Sequence, residues 1–291
     1  MAYIGKPINK WLAERRQNEM IKAYIEPNII NWARRVGWTG DELQKTLAGH
    51  GLEPYFGIHG IYELARGFLS SEALDDAKRN FQILHQLNPV YCPTTQMLLN
   101  REVDYLKTGA VVIPILDAQN HASAKYQVGI MARGSIEGVG ERLINKRERD
   151  IDENLPRFTA YQLHLSENAR NSSNSRIATL EDAFKSMEPE IPNLIRQILK
   201  NRVTVIEAKE IYARFDKFPT IKTTTRANLY LWAIPLMNHV APSRDKLDDY
   251  RHIIEASYSH AFLTGDEQLA RTVPRINSGL RVFTWANICT S

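Results

Sequence analysis

Four acidic residues stand where α/β proteins commonly carry their chemistry, near the ends of strands and in the first turns of helices. They are Glu26, Glu63, Asp249 and Asp266. Carboxylates that are brought together repel one another, so a cluster of them is costly unless a divalent cation neutralises it. Oxygen ligands favour Mg²⁺ or Mn²⁺ over zinc, and such ions can activate water for attack on a phosphodiester. The four residues therefore predict a metal-dependent hydrolytic site.

Each of these acids also has an ordinary structural explanation. Glu26 can be an acid at a helix N-terminus, where the helix dipole favours a negative charge. Glu63 can be an ion-pair partner on a helix surface. Asp266 can be a turn residue after Thr264 and Gly265. The metal-site interpretation depends on the four acids occurring together and in order.

The third ligand is ambiguous because Asp248 and Asp249 are adjacent. The spacing to His252 favours Asp249. His252 itself is expected to pack or to cap a helix rather than to bind metal. Glu102 and Asp104 are reserve ligands, and both are expected at the surface.

Short strands that alternate with helices must position these residues. The predicted strands are Ile21–Ile25, Val90–Cys92, 110–116, 203–206, Ala261–Thr264 and 280–285, of which 110–116 can also be the start of a buried helix. The predicted helices are 8–19, 29–36, 41–48, 60–68, 71–87, 95–109, 226–238 and 247–259. Alternation of this kind is typical of an α/β fold with a mainly parallel sheet. We predict a three-layer α/β/α sandwich.

The composition changes in the middle of the chain, where charged and helix-favouring residues dominate and β-branched runs are absent. We predict an inserted α-helical lobe over 117–202, between the two halves of a core formed by 1–116 and 203–291. Lys146, Arg147 and Arg149 of this lobe are candidate contacts to substrate phosphates. Because acids alternate with these bases, a solvated helix face is the alternative. An interface with a second copy or a partner is another.

The overall composition fits a globular enzyme. Hydrophobic residues make up 43% of the 291 residues and the formal net charge is +4, which permits an anionic partner without requiring one. The two cysteines, Cys92 and Cys289, form no CxxC pair, so a thiolate zinc site is not expected. Because the sequence shows neither a signal peptide nor a membrane span, we expect a cytoplasmic protein without a membrane partner.

Four segments resemble the four motifs of the PIN-domain nuclease family, in the same order. They are Tyr-Ile-Glu-Pro-Asn-Ile-Ile at 24–30, Ile-Tyr-Glu-Leu-Ala at 61–65, Asp-Tyr-Arg-His-Ile-Ile-Glu-Ala at 249–256 and Phe-Leu-Thr-Gly-Asp at 262–266. The resemblance covers about 20–110 and 200–291 and leaves the middle of the chain unexplained. It departs from the family pattern at Glu26, where the family usually has Asp.

The resemblance implies an endonuclease that uses Mg²⁺ or Mn²⁺. RNA is the favoured substrate, as for toxin or defence ribonucleases, and structured DNA is the alternative, as for relatives with larger insertions. Asn28 and Thr264 would hold ligands or waters in place. An inhibitory protein partner and a homo-oligomer are both compatible with the family. The Glu26 departure keeps a further alternative open, a degenerate fold that binds nucleic acid or acts as a scaffold.

Overall fold

The computed structural model describes residues 20–136, 179–238 and 244–289. Its strands are β1 (Ile21–Ile25), β2 (Leu52–Gly57), β3 (Val90–Cys92), β4 (Ala261–Thr264) and β5 (Arg281–Thr284). Its α-helices up to residue 136 are α1 (Pro27–Arg35), α2 (Gly40–Gly49), α3 (Ile58–Ala65), α4 (Leu74–Leu87), α5 (Thr95–Thr108) and α6 (Ala118–Ala132). The later ones are α7 (Leu180–Met187), α8 (Ile191–Ile198), α9 (Val205–Ala213), α10 (Pro219–Asn238), α11 (Arg244–Glu255), α12 (Glu267–Ile276) and α13 (Trp285–Cys289).

The strands form one parallel sheet in the order β3-β2-β1-β4-β5. Ala23 of the central strand pairs with Pro54 of β2 on one side and with Ala261 of β4 on the other. All pairings are parallel, so all five strands end at the same edge of the sheet. The predicted mainly parallel α/β architecture is confirmed.

Helices cover both faces of this sheet. Successive side chains of a strand point to opposite faces, so a single strand can pack against helices on both sides. Ala23 and Ile25 belong to a core cluster that contains residues of α1, α2, α4 and α6. Tyr24 and Phe262 belong to a second cluster that contains residues of α10, α11 and α12. Both faces of the sheet are therefore apolar and covered, which gives the three layers.

A third apolar cluster lies among helices alone. It joins α5 to α8, α9 and α10 through residues such as Val103, Ile195, Ile211 and Ile221. The two described ends of the predicted lobe 117–202 differ in their packing. Val128 of α6 lies in the core cluster of the first sheet face, whereas Ile195 of α8 lies in this helical cluster. The lobe boundaries remain a prediction, and Lys146, Arg147 and Arg149 lie outside the described residues, as does the predicted helix 8–19.

Two predicted strands are wrong. Val205 and Ile206 begin α9 instead, because Thr204, the residue before the helix, and Glu207 form a capping box in which each side chain accepts a hydrogen bond from the other residue's backbone N–H. Residues 110–116 form no strand and Val111 is 86% exposed, although the backbone N–H of Leu116 donates to the carbonyl of Tyr91 in β3 at 3.1 Å. Arg101 donates hydrogen bonds to the carbonyls of Ile113 and Ile115, the acceptors that a strand would offer to a neighbouring strand.

Candidate metal site

The candidate site lies at the carboxyl ends of β1 and β4. The chain leaves β1 for β2 and β3 on one side, and later returns on the other side as β4 and β5. The direction in which successive strands are added to the sheet therefore reverses between β1 and β4. In open α/β sheets the connections on the two sides of such a switch point diverge, which leaves a crevice where ligands bind.

Glu26 is the first residue after β1 and is 6% exposed. It occupies the position before α1, but its side chain makes no capping hydrogen bond. The Thr264 hydroxyl donates to its Oε2 atom instead. Burial raises the pKa of Glu26 to about 7, opposed by His252 and Thr264 and reinforced by the charges of Asp249 and Glu63. The helix-terminus explanation of this acid therefore does not account for its environment.

Asn28 and Thr264 tie the ends of the two central strands together. The Thr264 hydroxyl accepts hydrogen bonds from Asn28 Nδ2, at 3.4 Å, and from the backbone N–H of Asp266, at 3.0 Å. Asn28 Oδ1 accepts the backbone N–H of Gly265 at 2.8 Å. A Cβ atom at residue 265 would lie 2.5 Å from Trp32 Cδ1, so the loop passes the indole where only glycine fits.

Asp266 and Asp249 complete the acidic group from the other side. Asp266 caps α12 by accepting the backbone N–H of Leu269 at 2.8 Å. Asp249, in α11, forms an ion pair with Lys246 at 3.2 Å. Burial raises the pKa of Asp249, and the charge of Asp266 raises it further, while Lys246 and His252 lower it. The charges of these acids thus act on one another within one crevice.

Glu63, in α3, reaches the site through His252 of α11. Its Oε2 atom lies 2.7 Å from His252 Nε2. Burial raises the pKa of Glu63, but the hydrogen bond from His252 and the charges of His252 and His59 outweigh it, so the net pKa is lowered. Burial lowers the pKa of His252, and the hydrogen bond and charge of Glu63 reverse this effect and raise it to about 8. Glu63 is therefore an ion-pair partner, as its structural explanation predicted, and it pairs with the buried imidazole of His252.

His252 is 1% exposed and is held at both ring nitrogens. Its Nδ1 atom lies 2.8 Å from the Tyr24 hydroxyl, which donates to Glu255 Oε2 at 3.1 Å. Since a hydroxyl has one proton to donate, Tyr24 accepts from His252 Nδ1–H while it donates to Glu255. His252 therefore carries a proton on Nδ1 and directs Nε2 at Glu63.

Asp248 and Asp249 have different neighbours. Asp249 acts electrostatically on Glu26. Asp248 Oδ1 lies 3.3 Å from His59 Nε2 and 3.3 Å from Arg251. Both aspartates therefore stand at the crevice, one beside the other acids and one beside a second histidine.

The four predicted acids thus lie at one edge of the sheet, and several neighbours were not predicted. Tyr24, His59 and Glu255 are the unpredicted ones, and Asp248, the alternative third ligand, stands beside His59. His252, which was expected to pack or to cap a helix, is packed and is 1% exposed. The spacing of four residues between His59 and Glu63, and between Asp248 and His252, was the available signal. Glu102 is not a reserve ligand on the surface. Its buried carboxyl group accepts the backbone N–H groups of Thr220 and Ile221 at the start of α10.

Comparison of the chain with protein-family models, with curated proteins and with solved structures finds no match. No helix within the described ranges is long and apolar enough to cross a membrane.

Proposed function

We propose that the chain is a Mg²⁺- or Mn²⁺-dependent phosphodiesterase that cleaves nucleic acid internally, with RNA as the favoured substrate. One observation carries the proposal. Glu26, Glu63, Asp249 and Asp266 come from distant parts of the chain and are electrostatically coupled near the switch point of a parallel sheet: burial raises the pKa of Glu26, the charges of Asp249 and Glu63 raise it further, and the charge of Asp266 raises that of Asp249. The preference for RNA rests on the resemblance to PIN-domain nucleases.

The residues fit a hard divalent cation. All four offer carboxylate oxygens, the donors that Mg²⁺ and Mn²⁺ prefer. The raised pKa values of Glu26 and Asp249 mark carboxylates that lack sufficient compensating charge where they are buried. A bound divalent cation would supply that charge, and it would also supply Lewis-acid activation of water and charge stabilisation at the phosphodiester.

The chain's own groups set the geometry of this acidic group. The Thr264 hydroxyl fixes Glu26, and Asn28 fixes the loop that carries Asp266. His252 fixes Glu63 from the opposite side. Hydrogen-bonded partners of this kind orient metal ligands, and their loss costs about 10–100-fold in affinity or activity. These hydrogen bonds join the ends of β1 and β4 and the helices α3 and α11.

Asp266→Asn is the sharpest test of the proposal. Asparagine is as good a helix cap as aspartate, so the hydrogen bond to Leu269 and the fold are retained while one charge is removed. We expect Mn²⁺-dependent cleavage of a labelled RNA to fall by more than about 100-fold, with an unchanged circular dichroism spectrum. Asp104→Asn on the exposed surface of α5 is the matched control and should cleave normally. Normal cleavage by Asp266→Asn would refute the site.

The same assay separates the substrate classes. Single-stranded RNA, single-stranded DNA and flapped DNA are incubated with the full chain and Mn²⁺, and the products are resolved on denaturing gels. Cleavage confined to RNA supports the proposal, and cleavage confined to flapped DNA would assign a structure-specific DNA nuclease instead. Binding without cleavage of any of the three would assign a scaffold. Both cysteines are unpaired, which agrees with a reducing compartment, and the cytoplasm remains part of the proposal.

A further inference from the structure

Two helices beside the acidic group each present a histidine and a carboxylate one turn apart. On α3 they are His59 and Glu63, and on α11 they are Asp248 and His252. Residues four apart lie on the same face of a helix. Each helix therefore directs one imidazole and one carboxylate toward the other helix.

The histidine of each helix pairs with the carboxylate of the other helix. His59 Nε2 lies 3.3 Å from Asp248 Oδ1, and Glu63 Oε2 lies 2.7 Å from His252 Nε2. The centroids of the two imidazole rings are 4.8 Å apart. One ligand atom from each of His59, Glu63 and His252 lies within 4.8 Å of the others. These three side chains thus surround one small volume, and Asp248 stands beside it at His59.

The histidine orientation matches that of a metal ligand. Metal-binding histidines usually donate the N–H of their other nitrogen to a fixed polar partner, which sets the tautomer. His252 Nδ1 lies against the Tyr24 hydroxyl, which is in turn bonded to Glu255. This leaves Nε2, the atom that faces Glu63, as the nitrogen available to a cation.

We propose that His59, Glu63 and His252 bind one transition-metal ion, with Zn²⁺ as the preferred occupant and with Asp248, at 3.3 Å from His59 Nε2, as the nearest further carboxylate. Two imidazoles and two carboxylates suit Zn²⁺, whereas Mg²⁺ takes oxygen ligands. The charge also balances, since two carboxylates and two neutral imidazoles neutralise one divalent ion. Ligand atoms of a tetrahedral zinc site lie about 3.3 Å apart. The Glu63–His252 pair must therefore open by about half an ångström, and the wider separations in the group, at most 4.8 Å, must close. This site differs from the all-carboxylate one in donor chemistry and shares only Glu63 with it.

Co²⁺ is a direct probe, because tetrahedral Co²⁺ absorbs visible light with an intensity that depends on its ligands. The metal-free full chain is titrated with Co²⁺ in the presence of millimolar Mg²⁺. We expect saturable binding of one Co²⁺ per chain with intense visible bands, and full bleaching of these bands by one equivalent of Zn²⁺. Absence of saturable binding, or displacement of Co²⁺ by Mg²⁺, would overturn the proposal.

Substitutions then locate the ion. His59→Gln should weaken Co²⁺ binding by at least about 10-fold, and Asp248→Asn, which keeps the side-chain volume, should do the same if His59→Gln is poorly folded. His260→Gln is the matched control, because His260 is exposed at the opposite edge of the sheet, before β4. Wild-type Co²⁺ affinity in folded His59→Gln or Asp248→Asn would overturn the proposal.

Asp266→Asn distinguishes this site from the proposed phosphodiesterase centre. Asp266 is not among the proposed nitrogen and oxygen donors, so this variant should bind Co²⁺ as the unmodified chain does even where it has lost cleavage. Loss of Co²⁺ binding in Asp266→Asn would show that the ion occupies the acidic group instead. A chain that cleaves with Mg²⁺ but binds no Co²⁺ would refute the zinc site alone.

Discussion

Tyr24 of β1 connects the sheet to α11 through both its ring and its hydroxyl group. It is fully buried, its ring stacks on Phe262, and its hydroxyl joins His252 to Glu255. Two ionisable groups from α11 are thereby fixed from the middle of the sheet. A phenylalanine at this position would keep the apolar packing and lose the polar link.

Tyr24→Phe therefore tests the link without disturbing the core. A buried group that loses a hydrogen-bond partner costs about 1–3 kcal/mol, so we expect the free energy of unfolding in urea to fall by about that amount. Tyr126→Phe is the control, since Tyr126 is 65% exposed and surface changes usually stay within about 0.5 kcal/mol. Equal stability of the two variants would show that the hydroxyl contributes nothing.

At this scale the sequence permits some of the site to be predicted. Acids that follow strands, such as Glu26 and Asp266, can be placed at the sheet edge because parallel strands end together. Asp248 and His59 could not be assigned to each other. Spacing shows which residues share a helix face, but it does not show which two helices face one another. Glu63 and His252, for example, are 189 residues apart in the sequence.

Among the secondary-structure elements, β2 is the strand that was not predicted from the sequence. Its residues include Glu53, Pro54 and Gly57, and a proline argues against a strand inside a sheet. The structure nevertheless pairs β2 on both sides, with β1 and β3. Tertiary pairing decides here, because burial between two neighbours outweighs local preference. The run 110–116 shows the converse, since its β-branched residues find no neighbouring strand.

Helix α2 meets the end of α4 at a glycine. A Cβ atom on Gly40 would lie 2.2 Å from the carbonyl oxygen of Ile83 and 2.6 Å from the backbone nitrogen of Leu87. Backbone atoms cannot turn aside as a flexible side chain can. The approach of the two helices therefore requires glycine at residue 40.

Gly40→Ala should destabilise the fold by about 1–3 kcal/mol, the range for overpacking. Gly49→Ala at the other end of α2 is the matched control, because a Cβ atom there meets nothing within 4 Å. Alanine is favoured over glycine in helices by up to about 1 kcal/mol, so this control should be neutral or stabilising. Thermal unfolding of both variants measures the contrast, and parallel shifts would argue against the close approach.

At the scale of the whole molecule, Glu102 joins three parts of the chain. Its carboxyl group, on α5, accepts hydrogen bonds from the first turn of α10 and from the Tyr258 hydroxyl at 2.8 Å. Burial raises the pKa of Glu102 to about 7 despite these hydrogen bonds, which lower it. The protonated form is therefore favoured in the folded chain more than in the unfolded one.

The sign of the resulting pH dependence follows from that shift. Between pH 4.5 and about 7 the unfolded chain has released this proton and the folded chain has kept it, so stability falls as the pH rises through this window. Glu102→Gln cannot ionise. We expect the unfolding free energy of the unmodified chain, minus that of Glu102→Gln, to decrease by up to about 3 kcal/mol across the window. A difference that does not change with pH would refute the shift.

The strand order has a consequence for how the protein is made. Strand β1 pairs with β2, which follows it closely, and with β4, in which Ala261 meets Ala23. Synthesis runs from the amino end at about 5–20 residues per second, so β1 waits roughly 10–50 s on the ribosome with one edge open. An open apolar edge is a template for wrong pairing, so this interval is when a chaperone matters most.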